Sequence, residues 1–376
     1  MRWQPVPVAA TGAGDVNRGL VAALPVSNQS AISINLHRGT LAQILYCINA
    51  GKCETPDNQA HEFFDRVILN DATHIIVLMM PADAALAFGE INAAVMRCGG
   101  QTLGHERVPV PVTLSSCRFV YKFWIRCADA ESLSTRLRAL SDQNGVDLAL
   151  QTRHMRQCAY GAAVFDMDST LIECEVIDEL AAVAGVGVEV AEITEQAMRG
   201  EVDFDESFHR RLALLSGLDA RAVAELADRI PIQEGLLEMT TTLKAQGLKL
   251  AIFSGGFVPI ARRLQADYGF DEVVANELEI VAGKITGRVI PPIVNRQYKA
   301  SALQTLADRL GFDVSQTIAV GDGANDLDMM ALAGLGIAFH AKPAVRAASP
   351  IELTHTGLDG VCYLLGSKGE FASDSD

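Results

Sequence analysis

Short apolar runs alternate with helical patterns after residue 160, and this alternation predicts a doubly wound parallel α/β sheet. The predicted strands cover 161–165, 248–253, 272–275, 317–320 and 336–339. Three of these runs end in polar or glycine-rich residues, at Asp166 to Asp168, at 254–256 and at 321–326. Because ligands bind outside the carboxyl ends of parallel strands, these three segments are expected to meet at one site.

A different pattern precedes this region. Apolar runs at 74–80, 102–112, 118–127 and 146–152 are separated by helical stretches at 82–97 and 130–143. The order βαββαβ predicts a ferredoxin-like α+β domain. Small regulatory domains of the ACT type share this order, so the segment is either a ligand-sensing or dimerising domain or a packing domain without a ligand.

The first and second predicted strands of the α/β region lie far apart in the chain. A crossover between parallel strands needs only about a dozen residues, so the helical segment 174–229 is predicted to form a separate cap over the strand ends. The expected organisation is an N-terminal segment 1–70 without a clear assignment, a ferredoxin-like domain at 71–157, a catalytic core at 158–173 and 230–366, the cap, and an acidic tail at 367–376.

Composition and charge restrict the classes of partner. The length of 376 residues is enough for two or three domains, 49% of the residues are hydrophobic, and the net charge is -15. Nucleic acid and anionic membranes are therefore excluded as main partners. Residues 1–158 carry a net charge of +1, so the whole excess of negative charge lies in residues 159–376. The chain has no apolar run of about 18 residues and its eight cysteines are scattered, which favours a cytoplasmic enzyme with reduced thiols.

The first candidate for chemistry is the pair Asp166 and Asp168, which follows a predicted strand. Residues two apart in extended backbone point the same way, so both carboxylates can reach one reacting group. Two such acids need either a metal ion or a shared proton. One could attack phosphorus while a protonated neighbour serves the leaving group. Taken alone, however, this pattern is more often a solvated acidic turn.

Three further segments strengthen the pattern. Asp322 and Asp326 offer oxygen ligands of the kind that Mg²⁺ prefers. Ser254 and the following glycines offer a hydroxyl and open amides that suit phosphate oxygens. Lys299 could place one positive charge against a nucleophile and a phosphate. Each of these segments alone is weak evidence for a phosphoryl-transfer site, but their occurrence together in this order is stronger evidence.

These segments, in this order, resemble the haloacid dehalogenase superfamily over residues 160–366. Within it, the sequence resembles the phosphoserine phosphatases. The similar stretches are DMDSTLIECEVIDELA, AMRGEVDFDESFHRRLALL, FSGGF, ANELEIVAGKITG, YKA and GDGANDLDMMALAGLGIAFHAKP.

The resemblance implies a role for each matching residue. Asp166 would be the nucleophile and Asp168 the general acid and base. Mg²⁺ would be held by Asp166, the Asp168 carbonyl and Asp322, with Asp326 in support. The implied substrate-binding residues are Glu175 for the ammonium, Arg211 for the carboxylate, Met198 and Phe204 as the apolar wall, Ser254, Gly255 and Lys299 for the phosphoryl group, and Gly256 and Asn325 beside them.

The resemblance therefore implies a Mg²⁺-dependent phosphoric monoester hydrolase that converts O-phospho-L-serine to L-serine, the final step of serine biosynthesis, through an aspartyl-phosphate. Two alternatives stay open at this point: a related phosphotransferase or a phosphatase for another small phosphomonoester, and a receiver-type signalling module. The second is much shorter and has no cap. The expected partner is the small-molecule substrate, with a possible homodimer formed through the N-terminal domain.

Overall fold

The computed structural model describes residues 20–22, 34–36, 71–111, 116–199 and 201–366, with the side chains of Met198, Phe204 and the first two short segments excepted. The predicted N-terminal segment lies largely outside this range, and the acidic tail lies wholly outside it. The chain divides into two compact units, Met1–Ile68 and Leu69–Asp376. In the first, strands β1 (Leu20–Ala22) and β2 (Ile34–Leu36) pair antiparallel.

The second unit begins with a four-stranded antiparallel sheet in the order β4-β5-β3-β6. This is the ferredoxin-like order expected from the sequence. Its elements are β3 (His74–Met80), α1 (Phe88–Arg97), β4 (Gln101–Val108), β5 (Phe119–Arg126), α2 (Ala130–Asn144) and β6 (Asp147–Thr152), followed by the short α3 (Arg153–Gln157). The helix predicted from Ala82 begins only at Phe88, and the last residue of the run predicted at 102–112 lies outside the described part.

The α/β sheet has seven strands in the order β10-β9-β8-β7-β11-β12-β13. The strands are parallel except for β10, which pairs antiparallel with β9. Every residue of the central strand β7 is buried, which explains its continuous apolar sequence. The strands are β7 (Ala162–Phe165), β8 (Lys249–Phe257), β9 (Glu272–Val281), β10 (Lys284–Ile290), β11 (Thr317–Gly321), β12 (Leu335–Phe339) and β13 (Ile351–Leu353).

Strands β10 and β13 are additions to the five strands predicted. The β9–β10 hairpin closes through Ala282 and Gly283, which adopt φ values of 49° and 77°. Positive φ at both central residues is the geometry of a two-residue hairpin turn whose twist matches the strands. The helices that flank the sheet are α8 (Leu236–Ala245), α9 (Val258–Tyr268), α10 (Arg296–Leu310), α11 (Leu327–Leu332), α12 (Pro343–Ala348) and α13 (Gly360–Tyr363).

Four helices form the segment between β7 and α8. They are α4 (Val176–Ala184), α5 (Gly187–Met198), α6 (Phe204–Leu214) and α7 (Arg221–Ala227). An antiparallel bridge between Ile172 and Ile232 joins the two chain passages that lead into and out of this segment. The segment therefore leaves and rejoins the α/β layer at one place, beside the carboxyl end of β7.

Buried polar contacts join the ferredoxin-like layer to the α/β layer. The fully buried carboxylate of Asp147, at the start of β6, accepts hydrogen bonds from the amides of Thr354, His355 and Thr356 and from the Thr356 hydroxyl, at 2.7–3.2 Å. Buried Arg156 donates to the Tyr363 carbonyl at 2.8 Å. The two layers are thus fastened to each other. None of the helices in the described ranges is both long and apolar enough to cross a bilayer.

Candidate active site

The carboxyl ends of β7, β8 and β11 meet at a cavity of about 640 Å³ that the cap helices close from the other side. Strand β7 brings Asp166 and Asp168, the end of β8 brings Gly255 and Gly256, and the loop after β11 brings Asp322 and Asn325. The cap contributes Glu175, Asp178, Thr194, Ala197, Val202, Ser207, Phe208 and Arg211 to the lining. The three sequence segments expected to converge therefore do so.

Asp166 lies at the centre of the charged groups. Its Oδ1 accepts a hydrogen bond from the Met167 amide at 2.7 Å and contacts the Lys299 Nζ at 2.8 Å. Lys299 is fully buried in α10 and its Nζ also contacts Asp326 Oδ1 at 2.7 Å. Burial acts to lower the pKa of Lys299, but the attraction of Asp166 and Asp326 outweighs it and holds the pKa above its usual value. The lysine is therefore charged.

Asp168 is held in a different environment. Its Oδ1 accepts the Val176 amide at 2.7 Å, at the start of cap helix α4, and its Oδ2 accepts the Ser254 hydroxyl at 3.2 Å. Burial, followed by repulsion from Glu175 and Asp166, raises the pKa of Asp168 to about 8. Near neutral pH this carboxyl group therefore carries a proton, which suits a general acid.

Asp322 and Asp326 complete a cluster with Asp166, in which one carboxylate oxygen from each lies within 4.8 Å of the others. Burial and repulsion by neighbouring carboxylates raise the pKa of Asp322 to about 8 and that of Asp326 to about 7. Lys299 is the buried cation of this cluster, and the exposed Lys342 contacts Asp322 at its edge. The excess of buried acid over base fits a divalent cation, because oxygen ligands and an unmet negative charge are what such an ion requires.

The turn after β8 is shaped for a close approach. The Ser254 hydroxyl accepts the Gly256 amide at 2.8 Å, and the Asn276 side chain binds the Gly255 carbonyl at 2.7 Å. A Cβ on Gly256 would meet the Asp168 carboxylate and would lie 2.6 Å from Met167 Cε, so a larger residue would displace these two side chains. The turn thus leaves Gly255 and Gly256 open to the cavity.

Arg211 is the cation on the cap side. Its Nε donates to the Ser207 carbonyl at 3.4 Å, and among the described residues no carboxylate lies within 4.0 Å of its guanidinium. Asp178, Glu175 and Asp168 are near enough to interact at longer range, while burial lowers its pKa. A largely buried guanidinium with open donors is ready to bind an anion. Glu175, bonded to the Ser169 hydroxyl at 3.0 Å, lies in the same cavity.

Two predicted residues are only partly placed. Met198 ends α5 and Phe204 begins α6, but their side chains lie outside the described part of the structure. Ser254 and Lys299 are fully buried behind the cavity surface.

Sequence reasoning missed five polar residues of the lining: Ser169, Asp178, Thr194, Ser207 and Lys342. The Lys342 amide donates to the Asp322 carbonyl at 3.2 Å and its Nζ lies 3.6 Å from Asp322 Oδ2. Lys342 follows the carboxyl end of β12, and that position was a usable signal. Ser207 lies four residues before Arg211, so the sequence also indicates that both residues lie on the same face of helix α6.

Comparison with known proteins gives one consistent result. The family model "haloacid dehalogenase-like hydrolase" matches residues 163–331. The phosphoserine phosphatase of Streptococcus thermophilus is 45% identical over 210 residues, which cover 56% of this chain and 98% of that protein. That of Streptomyces coelicolor is 44% identical over 255 residues, covering 68% of this chain and 62% of its own. This chain thus spans less than two thirds of the latter's length.

A solved structure extends the likeness to the fold. A probable phosphoserine phosphatase from Vibrio cholerae in unliganded form superposes with a TM-score of 0.62 at 35% identity, over 79% of this chain and 87% of the other. A substrate-bound phosphoserine phosphatase structure superposes with a TM-score of 0.52 at 36% identity, over 55% of this chain and 98% of the other.

Proposed function

This chain belongs to the phosphoserine phosphatase family of the haloacid dehalogenase-like hydrolases, and we propose that it is a Mg²⁺-dependent phosphatase that hydrolyses O-phospho-L-serine to L-serine and phosphate. The observation that carries the proposal is the cavity itself. It joins an aspartate pair suited to phosphoryl transfer to Glu175 and to the half-buried Arg211, which has no carboxylate partner within 4.0 Å in the described part of the chain. These three features match a phosphate, an ammonium group and a carboxylate.

The proposed first step is attack of an Asp166 oxygen on phosphorus. The P–O bond to serine breaks, and Asp168 donates its proton to the departing serine oxygen. The product of this step is an aspartyl-phosphate on Asp166 and free L-serine. The raised pKa of Asp168 supports this role because the group holds a proton near neutral pH.

The second step is hydrolysis of the aspartyl-phosphate. Asp168, now ionised, accepts a proton from a water molecule that attacks phosphorus. The phosphoryl group passes to water, Asp166 is regenerated as a carboxylate, and Asp168 is protonated again. Lys299 contacts Asp166 at 2.8 Å and so orients the nucleophile, and Ser254, the Gly255 amide and Lys299 are proposed to hold the phosphoryl oxygens.

Phosphatases of this family generally use a divalent metal, and we propose Mg²⁺ held by Asp166, the Asp168 carbonyl and Asp322. Asp326 supports the site through its bonds to Lys299 and the Gly323 amide. When bound, the ion supplies positive charge to the phosphoryl group as negative charge develops. The proposal further includes the apolar wall of Met198 and Phe204 and Asn325 beside the phosphate.

Phosphate release distinguishes this activity from its closest alternative. Purified protein is incubated with a panel of small phosphomonoesters, with and without Mg²⁺, and inorganic phosphate is measured. The proposal expects O-phosphoserine to be the best substrate and the activity to disappear with EDTA. Transfer of the phosphoryl group to an added alcohol such as homoserine, without matching phosphate release, would show a phosphotransferase instead.

The regulatory role of the ferredoxin-like layer, a homodimer formed through the N-terminal domain and the cytoplasmic location stay predictions. Gel filtration with light scattering tests the dimer directly.

A further inference from the structure

The hydroxyl group of Ser207 is a buried polar group in need of a partner. Ser207 is fully buried in α6 and is one of the residues that line the cavity. Its Oγ is shielded from solvent and has no hydrogen-bond partner in the described part of the chain. A buried hydroxyl left without a partner costs about 1–3 kcal/mol, so proteins rarely keep one unless something else supplies the missing bond.

The position of Arg211 indicates what the missing partner is. Residues four apart lie on the same helix face, and the hydrogen bond from Arg211 Nε to the Ser207 carbonyl shows that the arginine folds back over the turn that carries Ser207. The hydroxyl and the guanidinium therefore share one end of the cavity. A positive neighbour disfavours an ammonium group there and favours an anion.

The phosphoryl group is not that anion, because its proposed partners Asp166, Ser254 and Lys299 all belong to the α/β layer and not to the cap. A carboxylate has about four lone-pair sites and accepts two parallel bonds from a guanidinium while keeping capacity for another donor. Ser207 can supply that donor by rotating its hydroxyl, since serine has three staggered positions about χ1.

We infer that Ser207 is a second specificity-determining residue, which donates a hydrogen bond to the substrate carboxylate beside Arg211. The inference rests on the proposed function, because it assigns a residue to the carboxylate of the proposed substrate. A substrate without the carboxylate leaves both the hydroxyl and the guanidinium unpaired. Sites built in this way discriminate strongly against analogues that lack the polar group.

The test compares O-phosphoserine with O-phosphoethanolamine, which keeps the phosphate and the amine and lacks the carboxylate. For Ser207→Ala, kcat/KM for O-phosphoserine is expected to fall about tenfold or more, as for loss of a hydrogen bond to a charged group. The value for O-phosphoethanolamine, or its inhibition constant if turnover is too slow, should change less than twofold. Calorimetry should show the same loss of affinity for L-serine in the absence of phosphate.

Stability and a second variant separate recognition from packing. Because Ser207→Ala removes an unsatisfied hydroxyl, its melting temperature should equal or exceed that of the parent protein. Ser207→Cys keeps the volume but is a weak donor, so its loss should be intermediate. The matched control is Thr194→Val in the same cavity, whose hydroxyl already donates to the Val190 carbonyl at 3.0 Å, and its preference for O-phosphoserine should be retained.

Equal losses on both substrates in Ser207→Ala, or an unchanged preference for O-phosphoserine, would overturn the inference and leave the proposed function intact. Failure of the parent protein to release phosphate from O-phosphoserine would overturn the proposed function, and the inference with it.

Discussion

Binding of Mg²⁺ should release close to one proton at pH 7. In the metal-free protein the pKa of Asp322 is raised to about 8, through burial first and repulsion from Asp166 and Asp326 second. At pH 7 such a group is about nine-tenths protonated. A carboxyl group must ionise to bind the cation, so each binding event displaces about 0.9 proton from Asp322.

The same pKa sets the pH dependence of affinity. Protons compete with the cation below the raised pKa, so affinity rises with pH and levels off above it. For a pKa of about 8, the apparent Kd should fall about ninefold between pH 6 and pH 7 and only about twofold between pH 8 and pH 9. The direction follows from the folded-state pKa being above the ordinary value: the metal-free protein is most stable when Asp322 is protonated, and it loses that advantage as pH rises.

The assay is titration calorimetry of metal-free protein with MgCl₂ in two buffers of different ionisation enthalpy. The difference between the two observed heats gives the number of protons released. The variant Lys342→Gln is a directional control, because Lys342 lies 3.6 Å from Asp322 and lowers its pKa. Its affinity profile should shift to higher pH. Equal heats in both buffers, together with an affinity that does not change between pH 6 and pH 8, would refute the reasoning.

Three further perturbations test other parts of the site and the fold. Asp168→Asn should reduce phosphate release from O-phosphoserine at least 10²-fold with an unchanged circular dichroism spectrum, and a variant with the parental rate would exclude Asp168 as acid and base. Gly256→Ala should lower kcat while the protein stays folded, because the added Cβ would press on Asp168. Steady-state kinetics and thermal melting of the variant test this prediction, and an unchanged kcat would contradict it. Asp147→Ala should lower the free energy of unfolding in urea by about 3–5 kcal/mol, because several buried donors lose their acceptor. The control Asp142→Ala removes an exposed carboxylate and should cost under about 1 kcal/mol. Equal losses of stability in the two variants would show that the buried hydrogen bonds of Asp147 do not stabilise the fold.

The sequence predicts the fold best where burial is complete. Strand β3 has the predicted bounds His74–Met80, and the central strands of the α/β layer begin and end within a few residues of the apolar runs that predict them. A strand covered on both faces is a continuous apolar run, which ends where the chain reaches solvent or the site.

The edge strand β10 illustrates what the pattern does not show. Its residues alternate between exposed and buried positions and include Lys284, Gly287 and Arg288, so no apolar run marks it. Helix α1 is also shorter than predicted. Residues 82–87 have a composition typical of a helix, but they form an irregular segment before Phe88.

The predicted site depends on motifs at strand ends, and the structure brings these motifs together. Lys342, Asp178 and Ser207 were not predicted because their place in the cavity depends on how the cap and the loop after β12 pack against the strand ends. The four-residue spacing places Ser207 on the same helix face as Arg211, but it does not show whether that face lines a cavity or meets solvent. The same holds for Asp147, whose hydrogen-bond donors lie more than two hundred residues away in sequence.

The short stretch between Asp168 and the cap has a consequence for how new specificities arise in this architecture. Asp168 binds the first amide of α4, and the Ile172–Ile232 bridge closes the two chain passages to the cap. The cap is thus a loop with a fixed stem, and an exchange of residues after Val176 can replace it without moving the proton donor. Recombination in that interval can therefore change which molecule is recognised while the phosphoryl chemistry is inherited unchanged.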